Sequence, residues 1–427
     1  MTISDLNDKS VCILGYGREG RATYLALQQY APKARITIAD TSSTLASLPN
    51  VPFITGPDYL ARLGDFDVIV KTPGIPWRPK ADILSRLTSA TELFLSSLGP
   101  GVKTIGITGT KGKSTTASLI YQVLHAAGRQ VILAGNIGEP MLGHLKDAAS
   151  GTIFVLELSS YQLETLKVSP ETAVITSFFP DHLDYHGSMQ EYFEAKSHIA
   201  RYQHAGDVVF FNGTSSDCQK LASLSPGEQI PFSPEDFPGH PAPIFDSPAG
   251  RSNLAAAFMV ATRYGVPKAD AVKTLETAQA LPHRLQTLGT HHQIVWIDDS
   301  AATTPESTVT ALDATKGHID TILVGGLDRG YDFTELGHRL ANSSVTNIVM
   351  FPDTGARIRE SIEAAGPVIP KTYYDAASME EAVAFAIKST KPGHICLLSS
   401  GSPSYNMFTN YFERGEAFQS AILRARG

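Results

Sequence analysis

The run GITGTKGKSTT, residues 106–116, constrains this chain more than any other stretch. A strand-like segment, KTIGIT, leads into it, and a helix-like segment, STTASLIYQVLHAAG, follows. In the latter, Ile120, Val123, Leu124 and Ala127 make one apolar stripe, and Gly128 is placed to stop the helix. A glycine turn between a buried strand and a helix N-terminus offers backbone N–H groups to an anion. The N–H groups around Gly109, Thr110, Lys111 and Gly112 can wrap a polyphosphate, Lys113 adds positive charge, and Ser114 can ligate Mg²⁺. The turn departs from the strict phosphate-loop pattern, since Ile107 stands at the first glycine position and Gly109 comes two residues later.

The chain opens on another glycine turn, the first in chain order, so that residues 109–114 are the second. The strand-like VCIL runs into Gly15-Tyr16-Gly17-Arg18-Glu19-Gly20, a helical pattern follows, and the strand-like RITIAD ends at Asp40. This spacing lets the backbone approach a pyrophosphate at a helix N-terminus while Asp40 bonds a ribose hydroxyl. NAD and a UDP-sugar satisfy that geometry equally well. Strand and helix patterns alternate through three segments, with FDVIV, TIFVLELSS, TAVITSFF, DVVFFN, TILVGG, TNIVMF and HICLLSS as further strands. The expected architecture is α/β with three domains. Residues 1–96 form a Rossmann-like domain, 97–281 a central P-loop ATPase-type parallel sheet, and 282–427 a C-terminal Rossmann-like domain.

Composition narrows the class. With 35 basic and 42 acidic residues the net charge is −7, which argues against a general nucleic-acid or membrane-surface binder. Cys12, Cys218 and Cys396 are far apart and odd in number, which indicates neither a disulfide framework nor a metal pattern. No apolar run approaches the roughly 18 residues that span a bilayer. These features read as a cytoplasmic enzyme, expected to be a monomer and without membrane insertion.

A hard cation at the phosphate turn requires oxygen ligands. Glu157, in LELSSYQLE, sits at a strand end among apolar neighbours, where a carboxylate is costly unless it faces a cation or partner. Asp181 and His182 follow the next strand. Ser188 and Glu191 have capping-box spacing, so a helix starts at Ser188 with Lys196 two turns in. From spacing alone Lys196 reads as a solvent-facing helix lysine.

Taken together, GITGTKGKSTT, GNIG, LELSSYQLE, PDHLDYHGSMQEYFEAK, LPHR, DDSAATTPEST, GGLDRGYDF and LLSSGSPSYNMFTNYFERGEAF occur in the order found in Mur ligases, which the whole chain resembles. Within that family it is most similar to the branch adding glutamate to UDP-N-acetylmuramoyl-L-alanine in peptidoglycan precursor synthesis. The resemblance implies an ATP-dependent acid–amino-acid ligase working through an acyl phosphate, with two Mg²⁺ ions, and favours D-glutamate over L-glutamate. It assigns the first glycine turn to the UDP substrate rather than NAD. Gly15, Gly17, Asp40, Thr41, Gly74, Asn136 and Ser159 would contact that substrate. Lys113, Ser114 and Thr115 would hold ATP phosphates, and Asn253, Arg284 and Asp299 the nucleotide. Ser114, Glu157 and His182 would serve the metals, and Lys196 would carry a carbamate formed from CO₂. His182, Thr303, Arg329, Ser404 and Tyr411 would line the amino-acid pocket.

Several positions depart from the family pattern. Ser252 replaces a histidine, Ala256 and Ser177 asparagines, Ala301 and Arg329 lysines, and Tyr411 a phenylalanine. A folylpolyglutamate-synthase-like ligase, which lacks the first domain, and an NAD(P)-dependent oxidoreductase are the rival readings.

Overall fold

A computed structural model describes residues 1–42, 48, 51–77, 81–137, 139–279, 281–315 and 318–425, with the side chains of residues 81 and 82 left out. The chain divides into two compact units, Met1–Ala278 and Gln279–Gly427.

The first unit carries two parallel sheets. One contains β1 (Ser10–Leu14), β2 (Arg35–Asp40), β3 (Phe53–Thr55), β4 (Val68–Lys71) and β5 (Leu87–Ser89), in the order β3-β2-β1-β4-β5. The other contains β6 (Lys103–Thr108), β7 (Val131–Gly135), β8 (Ile153–Glu157), β9 (Thr172–Ile175), β10 (Val208–Asn212) and β11 (Glu228–Phe232), in the order β11-β10-β9-β6-β8-β7. Ile105, Val155, Val174 and Phe210 on its strands pack with Leu119, Ile120, Val123 and Leu124 of the helix Lys113–Ala126 and with the helix Pro248–Arg263. Ile120, Val123 and Leu124 of the predicted stripe thus face the core, whereas Ala127 lies past the helix end and is exposed. Each such side chain contributes roughly 1.5–3 kcal/mol of apolar burial. Gly128 lies just past the helix end with φ +71°, a conformation that favours glycine.

The second unit holds β12 (Gln286–His291), β13 (Ile294–Asp298), β14 (Ile319–Gly326), β15 (Asn347–Asp353), β16 (Thr372–Asp375) and β17 (Ile395–Leu398). The order is β12-β13-β17-β14-β15-β16, and only the β12–β13 hairpin is antiparallel. Leu323, Val349 and Leu398 pack on one face with Trp296 and Phe418, while Ile322, Val324, Ile348 and Leu397 pack on the other. That is the two-residue period of strands buried on both faces.

The register decides where the sites fall. Ile107 pairs with Glu157, Thr108 with Ile175, and Gly135 with Glu157. The carboxyl ends of four adjacent strands therefore end together, as ligand crevices require in open α/β sheets.

Candidate active site

In the second glycine turn, Gly112 has φ +88°, and a Cβ there would lie 2.7 Å from Asn253 Oδ1. Asn253 therefore sits directly over the turn, where its Oδ1 accepts from Thr116 Oγ1 at 3.1 Å. The first intrahelical bond runs from Thr116 N to Gly112 O, so the N–H groups of Ser114 and Thr115 precede the helix ladder. Two expected phosphate donors are used otherwise. Thr110 N donates to Ser177 O at 2.9 Å, and Lys111 N to Ser177 Oγ at 2.9 Å. Ser177 is thus a brace for the turn, a role its sequence position did not suggest. Lys113 Nζ donates to Gly109 O and Thr110 O, both at 3.0 Å.

Glu157 is 2% exposed. Its Oε1 accepts from Asn136 Nδ2 at 2.8 Å, whereas Oε2 is buried without a hydrogen-bond partner. A buried carboxylate oxygen left this way is expensive unless a cation or ligand donor faces it. At the end of β8, paired to the strand that leads into the turn, this oxygen fits a hard divalent ion.

Lys196 corrects the spacing-based expectation of a solvent-facing side chain. Ser188 caps the helix Met189–Arg201 by accepting from Glu191 N, as its sequence predicts, but Lys196 points inward and is 1% exposed. Its Nζ donates to Gly109 O at 2.8 Å and lies 4.9 Å from the Tyr192 ring centre. Lys113 Nζ shares that carbonyl, which keeps the two amines within about 6 Å of each other. Burial first, and then the Lys113 charge, hold the Lys196 ammonium well below its usual range. His182, at φ +54° and partly exposed, is also held low, mainly by burial, with Lys113 and Lys196 adding to it and Asp181 opposing. A neutral imidazole is the ligating form. His186, to which the sequence assigned nothing, is buried with Nε2 2.9 Å from Ser160 Oγ.

The first glycine turn is built differently. Gly15 has φ +93°, and a Cβ there would meet Thr72 Oγ1 at 2.2 Å. Asp40, at the end of β2, accepts from Tyr16 N at 2.7 Å and from Ser42 N at 2.9 Å, which ties the turn to Thr41. Gly17 caps the helix Arg18–Tyr30, and Gly74 (φ +85°) follows β4 with open space around it. Ser159 caps the short helix Ser160–Leu163 in a reciprocal pair with Gln162.

In the second unit, Asp299 is buried, accepting from Ser399 Oγ at 2.8 Å and Leu285 N at 3.2 Å. Burial raises its pKa to about 7 against those bonds. Arg284 is exposed and immediately precedes Leu285, whose N–H reaches Asp299, and it follows His283, whose Nδ1 lies 2.7 Å from Asp298 Oδ2. Ala302 O accepts from Ser400 Oγ and Gly401 N, and Pro403 O accepts from Leu327 N. These bonds gather the segments bearing Thr303, Arg329 and Ser404. The Arg329 guanidinium stands 5.5 Å over the ring of Tyr405, a neighbour that sequence reading missed. Arg414, also missed, is 1% exposed and bonds Ser300 Oγ, Ser300 O and Ser402 O, while Ser300 Oγ donates to Tyr411 O.

A glycine turn at a helix N-terminus beside a buried carboxylate with one unpartnered oxygen, in a chain of three α/β sheets, is the arrangement expected of an ATP-dependent ligase. The family follows from comparison. Residues 107–239 match the Mur ligase middle domain, and residues 283–402 match the Mur ligase, glutamate ligase domain. A UDP-N-acetylmuramoyl-L-alanine–L-glutamate ligase of Salinispora tropica is 34% identical over all of both chains. A UDP-N-acetylmuramoylalanine–D-glutamate ligase of Leuconostoc citreum is also 34% identical over all of both. The fold of the MurF ligase from Thermotoga maritima, solved with ADP, matches at a TM-score of 0.58 and 16% identity, covering 99% of this chain and 97% of that one. This chain belongs to the Mur ligase family. No helix among the described residues is long and apolar enough to cross a membrane.

Proposed function

We propose that this protein joins glutamate to UDP-N-acetylmuramoyl-L-alanine at the expense of ATP, supplying a peptidoglycan precursor. The observation that carries the reading is the phosphate turn of residues 109–114 beside Glu157, with its unpartnered buried oxygen, at the ends of β6 and β8. The whole-chain relatives support the substrates. Residues 1–96 hold the UDP substrate through Gly15, Gly17, Asp40, Thr41 and Gly74, with Asn136 and Ser159 from residues 97–281. The central segment binds ATP, and residues 282–427 bind glutamate.

The substrate carboxylate attacks the γ-phosphorus, ADP departs, and an acyl phosphate forms. The amine of glutamate then attacks the acyl carbon, and the tetrahedral intermediate collapses with loss of phosphate. Lys113 and Arg284 offset the negative charge that develops on the phosphoryl oxygens. Ser114, Glu157, His182 and Lys196 are the proposed donors for two Mg²⁺ ions, which when bound withdraw charge from the phosphates. An amine is a poor ligand for so hard an ion. A neutral Lys196 amine can instead add to CO₂, losing one proton, and become a carbamate whose oxygens are suitable donors. Its burial and the neighbouring Lys113 support the neutral state.

The amino acid is L-glutamate in our reading. The overall resemblance favoured D-glutamate, but relatives of both kinds cover the chain equally, and Arg329 and Tyr411 depart from the lysine and phenylalanine of the family's amino-acid pocket. Incubation with UDP-N-acetylmuramoyl-L-alanine, ATP, Mg²⁺ and one glutamate enantiomer at a time, with ADP and product mass measured, tests this. ADP release that needs L-glutamate supports it, and turnover with D-glutamate alone refutes the handedness. NAD binding without glutamate-dependent ADP release refutes the function. Arg329→Ala should raise the KM for glutamate at least about tenfold, the loss of a charged hydrogen bond. The KM for ATP should stay within about twofold.

A further inference from the structure

Three side chains outside every expected site bridge the two sheets of the first unit. Lys71 ends β4, and its side chain is 3% exposed. Its Nζ donates to Glu164 Oε2 at 3.1 Å and to Tyr185 Oη at 2.9 Å. Tyr185 Oη is also 2.9 Å from Glu164 Oε2 and 3.1 Å from Ile75 O. An ammonium this buried requires such partners. Yet a buried ion pair adds little net stability over a well-packed apolar contact, so stability alone is a weak account of it. What it does supply is direction.

Each member borders a segment already placed at the substrates. Lys71 precedes Thr72, which packs on Gly15 and donates to Leu14 O, and the loop then continues to Gly74 and Ile75. Glu164 ends the helix that Ser159 caps. Tyr185 lies on the one-turn helix Leu183–His186 that follows His182. The Tyr161 ring meets Tyr185 edge-on at 4.5 Å and lies 5.2 Å from the His182 ring, so a shift of Tyr185 reaches the imidazole by contact. A second tie runs from Gln162 Nε2 to Glu19 Oε1 at 3.3 Å, again between the helix of the central sheet and the first glycine turn.

We propose that Lys71, Glu164 and Tyr185 are positioning residues for phosphoryl transfer. They hold the loop bearing Gly74 and the segment bearing His182 in register, so that the UDP-bound carboxylate is presented to the terminal phosphate of ATP. The proposal rests on the function given above. Such register matters steeply, because a misplacement of about 1 Å can cost on the order of a hundredfold in rate.

The test uses the full chain as Lys71→Met, Lys71→Arg, Tyr185→Phe and the Lys71→Met/Tyr185→Phe double variant. Each is assayed for kcat, for the KM of all three substrates, and for thermal unfolding. Lys71→Met and Tyr185→Phe should each lower kcat about tenfold or more, while the KM values for ATP and glutamate stay within about twofold. The double variant should be little worse than either single one, since both remove the same tie. Lys71→Arg, which keeps the charge, should recover part of kcat. Tyr185→Phe removes one oxygen and keeps the ring, so it decides the matter if Lys71→Met does not fold. Unchanged kcat in folded variants would overturn the proposal, as would a loss confined to the KM of the UDP substrate. A wild-type enzyme without glutamate-dependent ADP release would instead defeat the functional reading itself.

Discussion

The two glycine turns share one scaffold and differ in whether amines stand beside them. Both join a parallel strand to a helix N-terminus, and both need a positive φ at a glycine that another side chain crowds. Beside residues 15–20 the partly buried groups are acidic. Asp40 accepts two backbone N–H groups, and Glu19 Oε2 is buried without a hydrogen-bond partner. Beside residues 109–114 two amines, Lys113 and Lys196, share Gly109 O, with the buried Glu157 carboxylate at the neighbouring strand end. A turn lined by carboxylates can hold a ligand by shape and by hydroxyl bonds, but it does not favour charge accumulating during a reaction. A turn lined by amines does. On the proposed function the helix end serves an anion in both, and the surrounding residues decide which of them does chemistry.

The sharpest way to break this contrast is Lys113→Ala. Turnover should fall below a few per cent of wild type, as expected when a charged phosphate contact worth several kcal/mol is lost. Binding of the UDP substrate, measured by calorimetry, should change less than about threefold. Nearly as large is the effect expected of Lys196→Ala, which should be almost inactive in plain buffer. Acetate should restore part of the activity by supplying the missing carboxylate, and rigorous CO₂ removal should lower wild-type activity. A fully active Lys196→Ala enzyme would show that no carbamate is needed. On the acidic side, Asp40→Ala should raise the KM for the UDP substrate about tenfold through loosening of the turn. Steady-state kinetics should find the KM for ATP within about twofold.

The smallest effect concerns Glu19. Burial raises its pKa above 4.5, with Arg18 and Gln162 opposing. The folded state therefore binds the proton more tightly than the unfolded one. Its favourable contribution is complete below about pH 4.5 and is lost as pH rises through the folded value. Glu19→Gln should accordingly raise the melting temperature by a few degrees at pH 8 and leave it unchanged near pH 4, as calorimetry can read.

Local features of this chain were legible in its sequence, and distant ones were not. The Ser188–Glu191 pair marked a helix start because a cap is a contact between near neighbours, and Gly128 marked a stop for the same reason. Strands buried on both faces, such as Ile319–Gly326, announced themselves as apolar runs. The edge strand Glu228–Phe232 did not, since it carries Pro231 and exposed polar residues, and Leu87–Ser89 is too short to show a period. Among site residues, Glu157 was readable because a carboxylate among apolar neighbours at a strand end signals its own cost. The Lys71–Glu164–Tyr185 tie joins residues 93 and 114 positions apart, and Arg414 closes on Ser300 from 114 positions away. No local pattern encodes such pairs. Lys196 lies between these cases, since the capping box placed its helix but only the fold shows that it faces inward.

The central claim is that the UDP-bound carboxylate becomes an acyl phosphate at the amine-lined turn. It can be tested with UDP-N-acetylmuramoyl-L-alanine carrying ¹⁸O in both carboxylate oxygens. After turnover with unlabelled ATP and glutamate, mass spectrometry of the released phosphate reads the outcome. One ¹⁸O per phosphate is predicted, because the oxygen that attacks phosphorus leaves with it when the amide forms. Phosphate without label, released in step with the amide product, would mean that ATP is cleaved by another route and would contradict the account.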